Sequence, residues 1–310
     1  MKKKDFRWIT DFTRDELHTI FQLTAEMKDH RERFMDSIAG KTMAMINEKQ
    51  SLRTKVTFET GIQQLGGFAV YLTNQDINLG KREPVKDVAR NLSRWVDVIV
   101  ARVFKQSSIN ELAEFSDVPV INALSDEGHP CQIVSDMFTL WDQLRNRENL
   151  DGFHLTYIGD GNNVCNSLIL AAGLVGLHLV VSTPAGYEPD ARAIDTGRRM
   201  AEEIGGSVLF QPDPKKALKN AEAIYTDVWT SMGQEEEKEQ RLSLFGDYQL
   251  NQSLLENAPD NAAIMHCLPA HRGEEITDEV LESEHSVIFD QAENRLHGQK
   301  AIMKFLIDAS

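Results

Sequence analysis

The sequence predicts an α/β protein built from two doubly wound parallel sheets, one in each half of the chain. Short runs of apolar and β-branched residues alternate with longer amphipathic stretches, which is typical of parallel strands joined by helices. The chain has 310 residues, which is long for one hydrophobic core and sufficient for two. Its 41% hydrophobic and 26% charged residues argue against extensive disorder.

Each predicted strand of the first half is a short apolar run that ends at a polar or charged residue. These runs are Met43–Ile46, Ala69–Leu72, Val98–Ala101 and Val118–Ile121. Apolar residues three or four positions apart predict helices at Thr54–Leu65 and Val85–Trp95. A longer helix, from about Cys131 to Leu144, follows the last strand.

The second half repeats the pattern of strand and helix. Its predicted strands are His154–Ile158, His178–Val181, Ser207–Phe210, Ala223–Tyr225, Ala262–Met265 and Val287–Phe289. Its predicted helices are Asn163–Val175, Asp190–Ile204 and Glu235–Phe245. We therefore expect one domain over residues 1–147 and a second over 148–291, with the C-terminal helical segment 292–310 packing back on the first.

Composition restricts the function and the location of the protein. No run of 18 apolar residues or apolar leader is present, so we expect no membrane span or export signal. Three cysteines, an odd number, are typical of reduced thiols in the cytoplasm. A net charge of −15 argues against a nucleic-acid partner.

The acidic excess lies almost entirely in the second half. Residues 1–150 hold 21 basic and 22 acidic side chains, whereas residues 151–310 hold 12 and 26. An anion site in the first half and a cation site in the second would fit this distribution. A solvated acidic surface fits it too.

Two motifs stand where a predicted strand gives way to a helix. Ser51-Leu52-Arg53-Thr54 places two hydroxyls and a guanidinium at a helix N-terminus, which suits a phosphate. His129-Pro130-Cys131-Gln132 places a possible donor and acceptor three residues apart at the start of the long helix. Simple N-capping explains either motif equally well.

Three further motifs lie just after strands of the second half. Gly159-Asp160-Gly161-Asn162-Asn163 lacks the third glycine of a dinucleotide-binding loop, so a turn that presents Asn163 to a ligand fits better. The segment Asp227–Gly233 offers a carboxylate for a cation, and the segment His266–Gly273 offers the thiol of Cys267.

Zinc and hydrolase sites are disfavoured by spacing. The candidate zinc ligands are His129, Cys131, His266, Cys267 and His271. None of them has the spacing of a known zinc motif, so we expect no metal. No G-x-S-x-G elbow is present, which argues against a serine hydrolase.

Taken together, the five motifs resemble those of the ornithine carbamoyltransferases, and the resemblance extends over essentially the whole chain. It implies transfer of a carbamoyl group from carbamoyl phosphate to the side-chain amine of L-ornithine, giving L-citrulline and phosphate, without a cofactor. It also implies an active site in the cleft between the two domains, with carbamoyl phosphate bound by the first and ornithine by the second. The protein would form a homotrimer or a multiple of trimers.

The resemblance assigns roles to individual residues. The phosphate would contact Ser51, Leu52, Arg53, Thr54 and Arg102; the carbamoyl group would contact His129, Gln132, Cys267, Leu268 and Arg295; ornithine would contact Asn163, Asp227, Ser231 and Met232. The catalytic residues would be Cys267, Arg53, Arg102, His129 and Arg295.

The chain departs from the family at three positions, of which Gln50, where relatives often have Pro, Ser or Thr, should matter least. Leu52 replaces a threonine, so one hydroxyl is lost although the backbone N–H remains. Asn78 stands where relatives often use a glutamine to reach carbamoyl phosphate in a neighbouring subunit.

Three alternatives remain open at this point. The acceptor could be another amine, such as putrescine. The chain could be a non-catalytic relative, which the retained motif residues argue against. An NAD-dependent oxidoreductase is disfavoured by the missing glycine.

Overall fold

A computed structural model describes residues 3–231 and 233–310 of the chain. The chain divides into two units, the first made of Met1–Leu144 and Glu293–Ser310 and the second of Arg145–Ala292. Both units are α/β structures with a parallel sheet, which confirms the predicted fold class.

The first unit contains a four-stranded sheet. Its strands are β1 (Thr42–Asn47), β2 (Phe68–Thr73), β3 (Val98–Arg102) and β4 (Val120–Leu124). Their order is β2-β1-β3-β4. Strand β2 is therefore added on one side of β1, and β3 and β4 are added on the other side, so the strand order reverses between β1 and β3. Every residue of β3 and β4 is buried, which is typical of strands in a parallel sheet covered on both faces. The predicted run Val98–Ala101 lies within β3, whereas the predicted run Val118–Ile121 overlaps β4 only at Val120 and Ile121.

Helices surround this sheet. They are α1 (Arg14–Asp29), α2 (Arg53–Gln64), α3 (Asn74–Ile77), α4 (Val85–Leu92), α5 (Gln106–Phe115) and α6 (Pro130–Thr139). A π-helical turn, Leu140–Leu144, follows α6. Apolar side chains of β1 and β3 form one core cluster with Val88 and Leu112, which lie on α4 and α5.

The second unit contains a five-stranded sheet. Its strands are β5 (His154–Ile158), β6 (His178–Ser182), β7 (Ser207–Phe210), β8 (Ala223–Thr226) and β9 (Ala263–His266). Their order is β7-β6-β5-β8-β9, and the direction in which successive strands are added to the sheet reverses between β5 and β8.

The helices of this unit are mostly short. They are α7 (Asn163–Val175), α8 (Ala191–Glu203), α9 (Pro214–Ala217), α10 (Lys238–Leu244), α11 (Gln252–Leu255) and α12 (Asp278–Leu281). The helices α7 and α8 cross where Gly173 meets Gly197. A Cβ atom on Gly173 would lie 2.7 Å from the carbonyl oxygen of Gly197, so this crossing needs glycine.

The predicted strand Val287–Phe289 is wrong. Only Ser286 forms an isolated bridge, to Ile264, and the last helix, α13 (Ile288–Asp308), begins two residues later. The amide of Gln291 donates to the carbonyl oxygen of Val287, which is a helical bond. A three-residue apolar run has no periodicity that separates a strand from the buried first turn of a helix. From Glu293 onward, α13 belongs to the first unit.

The strand orders identify where ligands are expected in each unit. In open parallel sheets, ligands bind beyond the carboxyl ends of the strands at the point where the strand order reverses. In the first unit this point lies after β1 and β3, and in the second after β5 and β8.

Candidate active site

The start of α2 lies beyond the carboxyl end of β1. The Oγ atom of Ser51 accepts a hydrogen bond from the amide of Thr54 at 3.1 Å, so Ser51 caps the first turn. The side chain of Leu52 is 72% exposed, so this residue offers the site only its backbone. Arg53 begins the helix and is half-buried.

Arg102 lies beside this helix start because it pairs with Asn47 at the end of β3. Its guanidinium is buried and donates to the hydroxyl of Thr54 and to the carbonyl oxygen of Gln50, each at 3.4 Å. The register of the sheet therefore places a buried cation directly against the loop that opens α2.

A second buried guanidinium reaches the same hydroxyl from α13. Arg295 is 2% exposed, and its Nη2 atom lies 3.3 Å from the Oγ1 atom of Thr54. Its Nη1 atom donates to the side-chain carbonyl of Gln132 on α6. Two buried guanidinium groups that converge on one hydroxyl at a helix N-terminus form a strongly positive site that suits a phosphate.

The two helices that carry Gln132 and Arg295 are held close together. A Cβ atom on Gly298 would lie 2.7 Å from the Oγ atom of Ser135, so a larger residue at this contact between α13 and α6 would require that hydroxyl to move. The amide nitrogen of Gln132 donates to Asp136 at 2.8 Å, and Asp136 is fully buried. Asp136 therefore fixes the orientation of the glutamine that accepts from Arg295.

His129 precedes α6 and is 5% exposed. Burial is the largest reason that the pKa of His129 lies well below its ordinary value of 6.5. Four cations lower this pKa further: Arg295, Arg102, Arg53 and Lys49. At neutral pH the ring is therefore an uncharged imidazole, which can donate one hydrogen bond without adding to the positive charge.

Lys49 is a member of this cluster that the sequence did not single out. It is 7% exposed, forms an ion pair with Asp126 and lies 4.8 Å from the centre of the Phe104 ring. It lies in the segment after β1 where a site was expected, but a lone lysine carries no motif.

Asn78 and Cys131 take little part in the cluster. Asn78 ends α3 with a φ of 42°, and its recorded hydrogen bonds are local backbone bonds to Asn74, Lys81 and Arg82. The thiol of Cys131 donates to the carbonyl oxygen of Asn122, and burial raises its pKa to about 12. Cys131 is therefore an unreactive thiol.

In the second unit, Asp227 and Cys267 meet because Thr226 pairs with His266 at the ends of β8 and β9. The thiol of Cys267 donates to the Oδ1 atom of Asp227 at 2.8 Å. Asp227 is 5% exposed, and its Oδ1 atom also accepts from the amide of Val228. The sheet register thus places the Cys267 sulfur directly against a buried carboxylate.

Asn162 supports the same carboxylate. Its Nδ2 atom donates to the Oδ2 atom of Asp227 at 2.7 Å, and its Oδ1 atom caps α7 by accepting from the amides of Val164 and Cys165. The Gly-Asp-Gly-Asn-Asn segment thus combines a helix cap with a brace for Asp227. Asn163 is the first residue of α7.

His266 and Glu275 hold the segment that carries Cys267. Both are fully buried, and the Nε2 atom of His266 lies 3.0 Å from the Oε1 atom of Glu275. The Nδ1 atom of His266 accepts from the amide of Leu268 at 2.8 Å, so Nε2 carries the proton. Sequence reasoning missed Glu275, because acidic residues beside Gly273 are typical of a solvated loop.

Arg241 connects three parts of the second unit. It is 4% exposed, lies 3.1 Å from Asp160 and 2.9 Å from Glu237, and donates to the carbonyl oxygen of Trp229 at 2.7 Å. Burial raises the pKa of Asp160 to about 6, and Arg241 partly opposes that shift. Arg241 thereby orders the segment that leads to Ser231, whose amide bonds to Gln234. Met232, also predicted to bind the ligand, lies outside the described residues.

We expect Arg241→Met to lower the free energy of unfolding by about 3–5 kcal/mol at pH 7.5, because Asp160 would stay buried without its partner. The raised pKa of Asp160 costs stability as the pH rises through about 6, and Arg241 offsets that cost. The loss should therefore be smaller at pH 5, where Asp160 is mostly protonated with or without Arg241. Urea unfolding at the two pH values measures the difference.

Arg199→Met is the matched control for this prediction. Arg199 is exposed on α8 and pairs with Glu203 one turn away, so its loss should change stability by less than about 0.5 kcal/mol. Equal losses at both pH values for Arg241→Met would mean that Arg241 acts through Trp229 and Glu237 and not through Asp160.

Comparisons with known proteins match the chain along nearly all its length. Residues 4–142 match the carbamoyl-P binding domain of the aspartate/ornithine carbamoyltransferases, and residues 151–306 match their Asp/Orn binding domain. The ornithine carbamoyltransferase of Archaeoglobus fulgidus is 49% identical over 301 residues, which is 96% of each chain. That of Thermococcus kodakarensis is 48% identical over 312 residues, covering 98% of this chain and 96% of its own.

Solved structures agree with the sequence comparisons. The ornithine carbamoyltransferase of Pyrococcus furiosus superposes with a TM-score of 0.95 at 45% identity, covering 99% of this chain and 98% of its own. The anabolic ornithine carbamoyltransferase of Campylobacter jejuni superposes with a TM-score of 0.93 at 35% identity, covering 99% and 100%. These matches confirm the resemblance inferred from the five motifs. The chain belongs to the aspartate/ornithine carbamoyltransferase family.

Proposed function

We propose that the protein transfers the carbamoyl group of carbamoyl phosphate to the side-chain amine of L-ornithine, giving L-citrulline and phosphate. The observation that carries this proposal is the convergence of two buried guanidinium groups, Arg102 and Arg295, on Thr54 at the start of α2. The relatives compared above are named ornithine carbamoyltransferases, which favours ornithine over putrescine as the acceptor.

The first unit is proposed to bind carbamoyl phosphate. The phosphate would contact the helix start and its cations: Ser51, the backbone of Leu52, Arg53, Thr54 and Arg102. The carbamoyl group would contact His129, Gln132 and Arg295, together with Cys267 and Leu268 from the second unit. The positive charge that depresses the pKa of His129 supports this assignment, because an anion bound there would replace like-charge repulsion with attraction.

The second unit is proposed to bind ornithine through Asn163, Asp227, Ser231 and Met232. The buried carboxylate of Asp227 supports this, because an ammonium group can displace the thiol of Cys267 from its Oδ1 atom. Asp227 would then hold the α-amino group, with Cys267 near the reacting amine. Transfer needs both substrates at once, so residues of both units must act together.

The proposed chemistry begins with a neutral amine. An amine with a pKa of about 10.4 loses its proton to solvent at pH 7 at a cost of roughly 4–5 kcal/mol, which desolvation reduces. Its nitrogen then forms a bond to the carbonyl carbon, and His129 and Arg295 stabilise the charge on the carbonyl oxygen. The bond from carbon to the phosphate oxygen breaks, and the departing phosphate takes the remaining ammonium proton. These steps involve no change of oxidation state.

An assay of citrulline formation tests the proposal. The purified protein is given carbamoyl phosphate with ornithine or with putrescine, and both the carbamoylated product and phosphate are measured. We expect one phosphate released per citrulline, and a much higher kcat/KM with ornithine. Higher turnover with putrescine, or phosphate release without a carbamoylated amine, would overturn the assignment.

The rate at subsaturating ornithine should rise with pH between 6 and 8, by up to about tenfold per unit, because the fraction of neutral amine rises in that proportion. Because the pKa of His129 is lowered, this histidine stays uncharged over the same pH range. Its titration therefore adds no second change of slope to the pH–rate profile. Initial rates at fixed, saturating carbamoyl phosphate measure the slope. A flat profile, with chemistry rate-limiting, would contradict attack by a neutral amine.

The protein is proposed to act in arginine biosynthesis. Among the proteins compared, those of Pyrococcus furiosus and Campylobacter jejuni carry the word anabolic in their names. We propose that the protein acts in the cytoplasm, since three cysteines, an odd number, are typical of reduced thiols. Among the described residues, no helix is both long and apolar enough to cross a membrane.

We also propose that the chain assembles as a homotrimer or a multiple of trimers. An apolar surface on the first unit supports this: Leu52, just before α2, and Val56, in its first turn, are exposed, and Phe68 and Val70 are exposed on one face of β2. Exposed apolar surface of this kind is typical of protein interfaces. Asn78 would then reach the site of a neighbouring subunit. Sedimentation equilibrium should give a mass of three chains or a multiple of three.

A further inference from the structure

Three side chains that could hold a cation lie close together in the second unit. They belong to His271, Glu274 and Glu275, and one ligand atom from each residue lies within 4.8 Å of the other two. The reaction proposed above gives none of these side chains a contact with a substrate.

Only one of the two carboxylate oxygens of Glu275 accepts hydrogen bonds from the described residues. Its Oε1 atom accepts from His266 at 3.0 Å and from the amide of His271 at 2.6 Å. Its Oε2 atom is buried and has no hydrogen-bond partner within residues 3–231 and 233–310. Because Glu275 is fully buried, this oxygen has lost its contact with water without gaining a donor.

The other two atoms lie opposite each other as a histidine–glutamate pair. The Nδ1 atom of His271 and the Oε2 atom of Glu274 are both buried, and neither has a hydrogen-bond partner in the described part of the chain. They lie 3.4 Å apart. Two ligands of a tetrahedral zinc ion, at bond lengths of about 2.1 Å, are separated by about 3.4 Å.

We infer that His271, Glu274 and Glu275 form a binding site for a divalent transition cation such as Zn²⁺. One imidazole nitrogen and two carboxylate oxygens are a ligand set that zinc accepts, and solvent can supply the fourth ligand. The side chains of His271 and Glu274 are 41% and 21% exposed, so a cation can enter from the surface. The expectation of no metal rested on cysteine and histidine spacing, which does not detect carboxylate ligands.

Nearby charges favour the cation on balance. Two of the three ligands are carboxylates, which attract a cation, and a cation binds the unprotonated form of the imidazole. The Nζ atom of Lys238 lies 2.7 Å from the Oε1 atom of Glu274 and opposes binding, but it leaves the Oε2 atom available. Arg272 is bonded to Asp278 and Glu282 instead.

Binding would give the fixed carboxylate a second function. A cation on Oε2 would tie Glu275 to the segment 271–274, while Oε1 continues to hold His266. The site would therefore act as a brace for the segment that begins at His266.

Titration of tag-free protein with Co²⁺ and with Zn²⁺ tests the inference. We expect one ion per chain, a visible Co²⁺ spectrum of low coordination number without a thiolate charge-transfer band, and a higher Tm. His271→Ala and Glu274→Gln should each weaken binding at least about tenfold. His271→Ala keeps the backbone bond from residue 271 to Glu275, so its Tm without metal should match that of the parent.

Two controls locate the site. His285→Ala removes a histidine of the same unit that lies 4.0 Å from Glu284 on the surface, and it should bind Co²⁺ like the parent. Cys267→Ser should also bind like the parent. Loss of binding in Cys267→Ser, which belongs to a second cluster with Asp227 and His266, would overturn the assignment. Unchanged affinity in His271→Ala, or no binding by the parent at millimolar metal, would overturn it equally.

Discussion

Arg102→Ala should lower kcat/KM for carbamoyl phosphate by about 10³-fold, equivalent to about 4 kcal/mol of transition-state stabilisation. Arg102 is one of the two buried guanidinium groups that contact Thr54, and it also donates to the carbonyl oxygen of Gln50. An anion at the start of α2 would lose a charge-assisted donor that no solvent molecule can replace at equal strength. Steady-state rates at saturating ornithine measure the effect.

The fold should survive this substitution. Arg102 lies among other cations, including Arg295 and Lys49, and removal of one charge from a cluster of like charges relieves repulsion. For the same reason the pKa of His129 should move up toward its ordinary value in Arg102→Ala, which NMR of the imidazole can follow. This shift distinguishes a local electrostatic effect from general damage to the first unit.

Arg90→Ala is the matched control. Arg90 is exposed on α4 of the same unit and pairs with Asp87, so its removal should leave both kcat/KM and the pKa of His129 unchanged. If kcat/KM of Arg102→Ala stays within tenfold of the parent value, the phosphate binds elsewhere.

Sequence patterns predicted the elements of this fold where the physical signal is local. Helix α7 was predicted at its observed limits, because an asparagine caps its start and Gly176, with a φ of 82°, ends it. The parallel strands β5 and β7 are short runs rich in apolar residues between polar segments, and both were predicted at their observed limits. The prediction of a strand at Val287–Phe289 was wrong, because three apolar residues are too few to show whether the hydrophobic period is that of a strand or a helix.

The candidate site was predictable in part for the same reason. Motif residues at strand ends fall on the correct edge of each sheet once the strands are known, as Arg102, Asp227 and Cys267 do. Their supporting partners were not predictable. Asp136 and Glu275 act through contacts that depend on how helices and loops pack, and neither lies in a pattern that marks a buried carboxylate.

Asp227→Asn should raise the KM for ornithine by about 10²-fold, equivalent to about 3 kcal/mol, and change the KM for carbamoyl phosphate by less than about threefold. The substitution keeps the size of the side chain and an oxygen that can accept from Asn162, but it removes the buried negative charge. A cationic amino group loses its ion pair in a site shielded from water, which costs more than a surface pair would. The KM for carbamoyl phosphate should hardly change, because cations of the first unit are proposed to bind that substrate.

Steady-state kinetics with each substrate varied at saturating levels of the other separate the two effects, and Asp195→Asn provides the matched control. Asp195 is exposed on α8 of the same unit, so its replacement removes the same charge without touching the proposed site and should leave both KM values within about twofold.

In the parent structure the thiol of Cys267 donates to Asp227, and an amide oxygen at position 227 can still accept that bond. Loss of activity through a displaced Cys267 would lower kcat and affect both substrates alike. Equal losses for the two substrates would therefore show that Asp227 supports the geometry of the site and does not bind the amine.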